Sequence, residues 1–160
     1  MKLRLPILLG ASLLLLHLVG EARQAAPLII PKIQTPITCD GLLDDPPWKG
    51  ISPFQLIVYA PNTGQEPSER TGILLAYDDD FVYAGARFYD REPEGIQATS
   101  KKRDDMKPSN DWFGIILDTF RDYENAVGLF TSPTGLRTDI EISNDAQGDA
   151  SFNASWNTTL

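Results

Sequence analysis

The feature that most constrains this chain is its punctuation. Between Thr71 and Ile142, short apolar runs alternate with clusters of Asp, Asn, Gly, Pro and Ser. Runs of this length fit strands. No window carries an apolar period of 3.6 residues over three turns, so helices are not expected. The chain holds 12 Gly and 12 Pro, ample turn chemistry for such a pattern. Five strands are expected: Thr71–Tyr77, Phe81–Tyr89, Trp112–Phe120, Glu124–Thr131 and Leu136–Ile142. Asp78-Asp79-Asp80 turns the first into the second, and Arg121-Asp122-Tyr123 turns the third into the fourth. Short strands at this spacing predict an all-β fold, an antiparallel two-sheet β-sandwich of jelly-roll-like form.

Side chains of a strand alternate between its faces. In Phe81–Tyr89 the smoother apolar row is Val82, Ala84, Ala86 and Phe88, which is expected to face the core. Phe81, Tyr83, Gly85, Arg87 and Tyr89 would then face away. In the third strand Phe113, Ile115 and Leu117 form the core row, opposite Trp112, Gly114, Ile116 and Asp118. Leu136, Thr138, Ile140 and Ile142 share one face of the fifth, with Arg137, Asp139 and Glu141 on the other.

The N-terminus predicts export. Lys2 and Arg4 precede an apolar stretch from Leu5 to Val19, and Gly20-Glu21-Ala22 supplies small residues for cleavage after Ala22. A stretch of about 15 apolar residues falls short of the roughly 20 that a spanning helix needs. No cysteine follows directly on the cut, which argues against a lipoprotein signal. Residues 1–22 are thus read as a signal peptide, 23–36 as an extended lead-in and 37–160 as the domain. The segment from Ala154 to Leu160 reads like the opening of another element, so the domain is expected to continue past Leu160. The chain is expected in the periplasm, the outer membrane or the extracellular space.

Cleavage removes two basic residues and one acidic residue, taking the formal charge from −8 to −9. Such a surface repels phosphate backbones, which argues against nucleic acid as a partner. Cys39 is the only cysteine, so no intrachain disulfide forms, and it is expected to act as a small buried hydrophobe. The only histidine, His17, lies in the signal segment. The mature chain therefore has no imidazole for Ser-His-Asp or Cys-His catalysis, or for a His-ligated metal.

Asp40-Gly41-Leu42-Leu43-Asp44-Asp45-Pro46-Pro47-Trp48 resembles the opening of family-nine carbohydrate-binding modules. Further segments agree in order: Tyr77-Asp78-Asp79-Asp80-Phe81-Val82-Tyr83, Tyr89-Asp90-Arg91-Glu92-Pro93, Arg103-Asp104-Asp105, Asn110-Asp111-Trp112, Leu117-Asp118-Thr119-Phe120-Arg121-Asp122 and Ser132-Pro133-Thr134-Gly135. They are most similar to modules at the N-terminus of large exported bacterial proteins that carry a barrel-like C-terminal region. The resemblance spans about Ile33 to Trp156. Departures are Ser132 for the usual asparagine, Asn110 for a common aspartate and Cys39 for an aliphatic residue. The resemblance implies an oligo- or polysaccharide partner, structural calcium and a membrane-associated region downstream in the full-length protein.

A pyranose stacks its C–H face on an indole, while coplanar charged groups take its hydroxyls. Candidate sugar contacts are Trp112, Asp111, Arg103, Asp104 and Trp156. Arg103 and Asp111 could instead pair with each other to pin the loop between them. Trp48, directly after two prolines, is read as a plug of the core. Asp78 and Asp80 offer hard oxygens to calcium, although their spacing is not that of an EF-hand and a solvated turn explains them too. Non-catalytic carbohydrate binding is the expected function. The alternative is an assembly or plug domain of an outer-membrane protein with no sugar ligand. A glycoside hydrolase would need two carboxylates about 5–9.5 Å apart across a cleft, and no acidic residue stands out for that work. No catalytic residue is assigned.

Overall fold

A computed structural model describes residues 29–54, 56–100, 102–144 and 147–160. The residues expected to form a signal peptide, and the first of the expected lead-in, lie outside the described residues.

The described chain is mostly β, in two antiparallel sheets, and contains no α-helix. The first sheet pairs β1 (Thr71–Tyr77) with β2 (Val82–Phe88), from Thr71 opposite Phe88 to Tyr77 opposite Val82. Asp78 closes the hairpin: its N–H donates to the Phe81 carbonyl at 3.0 Å. The second sheet is a meander of β3 (Phe113–Leu117), β4 (Ala126–Thr131), β5 (Arg137–Ser143) and β6 (Gln147–Asp149), in that spatial order. All five expected strands are present. The three residues of β6 are polar or glycine and escaped the apolar pattern.

The core of the first sheet reverses the expected face of β2. Ile33, Trp48 and Ala76 are buried together, with Ile37, Leu43, Ile51, Leu74 and Tyr83 packed against them. Tyr83 and Gly85 therefore face the core, whereas Val82 and Phe88 are 58% and 55% exposed. The cause is a steric match at Gly85. A β-carbon there would strike the Leu43 side chain and lie 3.3 Å from the Trp48 ring. Trp48 needs a flat floor, and the odd-numbered row of β2 supplies one. It sits in the short 3-10 turn Pro46–Gly50, where two prolines preset the backbone. Its role as a core plug holds.

Cys39 also differs from expectation. It is exposed, because residues 37–40 join neither sheet and run along the surface beside the C-terminal segment, where Thr159 Oγ1 donates to the Cys39 carbonyl at 3.1 Å.

In the second sheet the register aligns Ile115, Leu129 and Asp139 across β3, β4 and β5, and likewise Phe113, Thr131 and Arg137. This face meets the first sheet where Phe88 packs edge-on against Phe113, ring centroids 5.3 Å apart. On the reverse face the Phe130 ring lies over Gly114 and Gly128, filling the space their side chains would take. Ile116, on that reverse face, is 60% exposed, as the alternation predicts.

Candidate functional site

Asp139 stands at the centre of the densest polar cluster. Its neighbours along the register are Leu129 and Ile115, and its side chain is wholly buried. A carboxylate so placed is retained only when paired and hydrogen-bonded. Arg103 Nη2 donates to Asp139 Oδ1 at 2.5 Å, and the Ala154 N–H donates to Oδ2 at 2.5 Å. Trp156 Nε1 adds a longer contact to Oδ1 at 3.4 Å.

The same groups are held from other directions. Arg103 Nη2 also donates to Asn153 Oδ1 at 2.8 Å, and its Nε lies 3.4 Å from Asp104 Oδ2. Asp104 adopts a left-handed backbone, φ 63°, and its N–H donates to the Arg137 carbonyl at 3.2 Å. Aspartate is among the few residues that tolerate this conformation. Arg137 places its guanidinium 5.8 Å from the centre of the Trp156 ring, and its Nη1 donates to the Trp156 carbonyl at 2.5 Å. The result is a half-buried indole flanked by a cation and by a second guanidinium locked to a buried carboxylate. Arg103 Nη1 has no partner among the described residues, and its side chain is 37% exposed.

Three of the sequence-derived candidates, Arg103, Asp104 and Trp156, thus meet at this cluster. Asp111 and Trp112 are engaged in the loop before β3. Asp111 Oδ2 accepts from the Gln97 N–H at 2.8 Å, and Asp111 N–H donates to the Gln97 carbonyl at 2.9 Å. Trp112 is half-buried and donates its indole N–H to the Lys107 carbonyl at 3.1 Å. Next to them, buried Asn110 accepts from the backbone and the hydroxyl of Thr99. The carboxylate partners of Arg103 are Asp104 and Asp139, and Asp111 is not one of them.

Sequence reasoning missed Asp139, Arg137 and Asn153. The alternation that puts Arg137 and Asp139 together on one face of β5 was visible, but nothing in it marked that face as a site.

At the proposed calcium turn, Asp78 Oδ1 accepts from the N–H groups of Asp80 and Phe81, and Oδ2 accepts from Tyr83 Oη at 2.7 Å. The Tyr83 hydroxyl, above all, holds the Asp78 carboxyl below the usual carboxylate range, and that bond raises the Tyr83 phenol in turn. Asp80 is exposed. Among the described residues no three His, Cys, Asp or Glu side chains gather as a metal site. A shallow hollow lined by Ser68, Glu69, Asp90, Arg91 and Glu92 contains no aromatic ring and is crossed by the Arg91–Glu69 ion pair.

No family model, no curated protein and no solved structure matches this chain.

Proposed function

We propose that this chain is a non-catalytic carbohydrate-binding module of an exported protein, its two sheets arranged as a β-sandwich, with Trp156 as the stacking platform. The observation that carries the reading is the pairing of the Trp156 ring with the Arg137 guanidinium, beside an Arg103 fixed by buried Asp139. An indole offers a flat apolar surface to the C–H face of a pyranose. Guanidinium donors beside it suit the ring hydroxyls, and charged donors make the stronger hydrogen bonds. The site is preorganised, because the carboxylate that orients Arg103 is itself immobile in the sheet. The order of family-nine-like motifs along the sequence supports the same reading.

A second reading draws on the same carboxylate. Asp139 ties the C-terminal segment to β5 through the Ala154 N–H, a purely structural role that suits an assembly or plug domain without a sugar ligand equally well. The two readings part on one experiment: affinity electrophoresis of the folded chain against a polysaccharide panel, with calcium and with chelator. Retardation by one glycan class supports the module, and its loss in chelator would add a structural calcium. Uniform migration through every glycan, by protein that melts cooperatively, would overturn the module and leave the assembly reading.

A further inference from the structure

The hydrogen-bond parity of the first sheet defines what β2 offers on its outer edge. On the far side of β1, the Ile73 carbonyl accepts from the Phe54 N–H at 2.8 Å. Tyr77 donates there to the Pro31 carbonyl and accepts from the Ile33 N–H. Odd-numbered residues of β1 thus point away from β2. The even-numbered ones, Gly72, Leu74 and Ala76, bond across to Arg87, Gly85 and Tyr83. Val82, Ala84, Ala86 and Phe88 therefore direct their N–H and C=O groups outward, to an edge that pairs with no strand among the described residues. Their side chains form the apolar row that lies off the Trp48 core, with Val82, Ala84 and Phe88 exposed, although one side of the Phe88 ring meets Phe113. Natural edges are blunted by charged side chains, Pro or a bulge; β2 has neither Pro nor bulge, and its one charge, Arg87, lies in the row whose backbone bonds to β1.

We propose that a second copy of this chain occupies this edge, β2 pairing antiparallel with its counterpart about a two-fold axis at Gly85. The strand is complementary to itself in that register. Val82 stands opposite the partner's Phe88 and Ala84 opposite the partner's Ala86, so all four outward-facing residues find hydrogen-bonding counterparts. The Val–Phe pairs at both ends are of the aromatic and β-branched kind that stabilises sheets. Arg87 is the only charged residue of β2, and it meets the partner's Tyr83 instead of its own copy. A slip of two residues either way leaves one outward-facing residue of each strand unpaired. Dimerisation also turns a two-stranded sheet, marginal by itself, into a continuous sheet of four.

Sedimentation equilibrium of the full chain tests the interface, with Ala84→Pro as the main variant. Ala84 N–H points outward, so proline removes a dimer hydrogen bond and none between β1 and β2. The expected result is a dimer for the unmodified chain and, for Ala84→Pro, a monomer that still melts cooperatively, at a midpoint lowered by the lost association and no longer dependent on concentration. Ala84→Lys, which keeps the N–H but sets a charge against the partner's Ala86, should also be monomeric and decides the matter if the proline variant fails to fold. Register is read by cross-linking in a Cys39→Ser background. Ala84→Cys mixed with Ala86→Cys should yield a disulfide-linked heterodimer faster than either variant alone. A monomer at every concentration, undiminished dimerisation in the folded variants, or equal cross-linking in all samples would overturn the proposal.

Discussion

Asp139 Oδ1 and Arg103 Nη2 lie 2.5 Å apart although 36 residues separate them in sequence. This pair connects β5 to the polar loop before β3. Through Asn153 and Ala154 it also fixes the chain that follows β6. One buried carboxylate thus organises three segments and sets the orientation of the Trp156 indole.

The two ends of that pair should not be equivalent. Arg103→Ala leaves a wholly buried carboxylate with only the Ala154 and Trp156 donors, and should destabilise by about 3 kcal/mol. Asp139→Asn removes the buried charge and leaves a guanidinium that already reaches solvent, so its effect should be about 1–2 kcal/mol. Urea unfolding of both variants checks the order, and a larger loss in Asp139→Asn would contradict it.

A side chain at Gly85 should cost stability. A methyl group there collides with Leu43 and crowds the Trp48 ring, so Gly85→Ala should destabilise by about 1–3 kcal/mol through overpacking. An unchanged thermal midpoint would show that Trp48 does not rest on this position.

Thr138 offers a change in the opposite direction. Its side chain is 1% exposed and its hydroxyl has no hydrogen-bond partner among the described residues. Thr138→Val keeps the β-branched shape and removes a buried, unpaired polar atom, so it should stabilise by about 1 kcal/mol. A fall in denaturation midpoint would show that the hydroxyl is satisfied in solution.

Acid should weaken the first hairpin. The Asp78 carboxyl is depressed in the folded chain, chiefly by the Tyr83 hydroxyl, so its contribution is present above the ordinary aspartate value. It is lost as pH falls below about 4. Tyr83→Phe removes the main cause, so the acid limb of its stability curve should be shallower than that of the unmodified chain. Raised Tyr83 works the other way, contributing below about pH 10 and losing that contribution above it. Parallel acid limbs in the two proteins would contradict the assignment.

The strands were legible in the sequence because each run is short, apolar and bounded by turn residues. Their ends were not, because the bounding aspartates act as caps. The Trp112–Phe120 run stops at Leu117, where Asp118 turns inward to accept from the N–H groups of Asp122 and Tyr123. The inner face of β2 was misread because both of its rows are apolar enough. Only Gly85, a residue with no hydrophobic signal, marks the side on which Trp48 lies. Of the candidate site, Arg103, Asp104 and Trp156 were legible as charge near aromatics. Asp139 was hidden, because nothing in the period-two alternation marked its face as a site. The chain crossing it, Asn153 to Trp156, comes from beyond the sheet.

Whether Trp156 stacks on a sugar is read from titration calorimetry of folded Trp156→Ala and Trp112→Ala against the retarding glycan. Trp156→Ala should abolish the binding heat while Trp112→Ala retains it, because a guanidinium lies against the Trp156 ring and none lies against that of Trp112 among the described residues. Binding that survives in Trp156→Ala and disappears in Trp112→Ala would contradict this assignment and move the platform to the loop before β3.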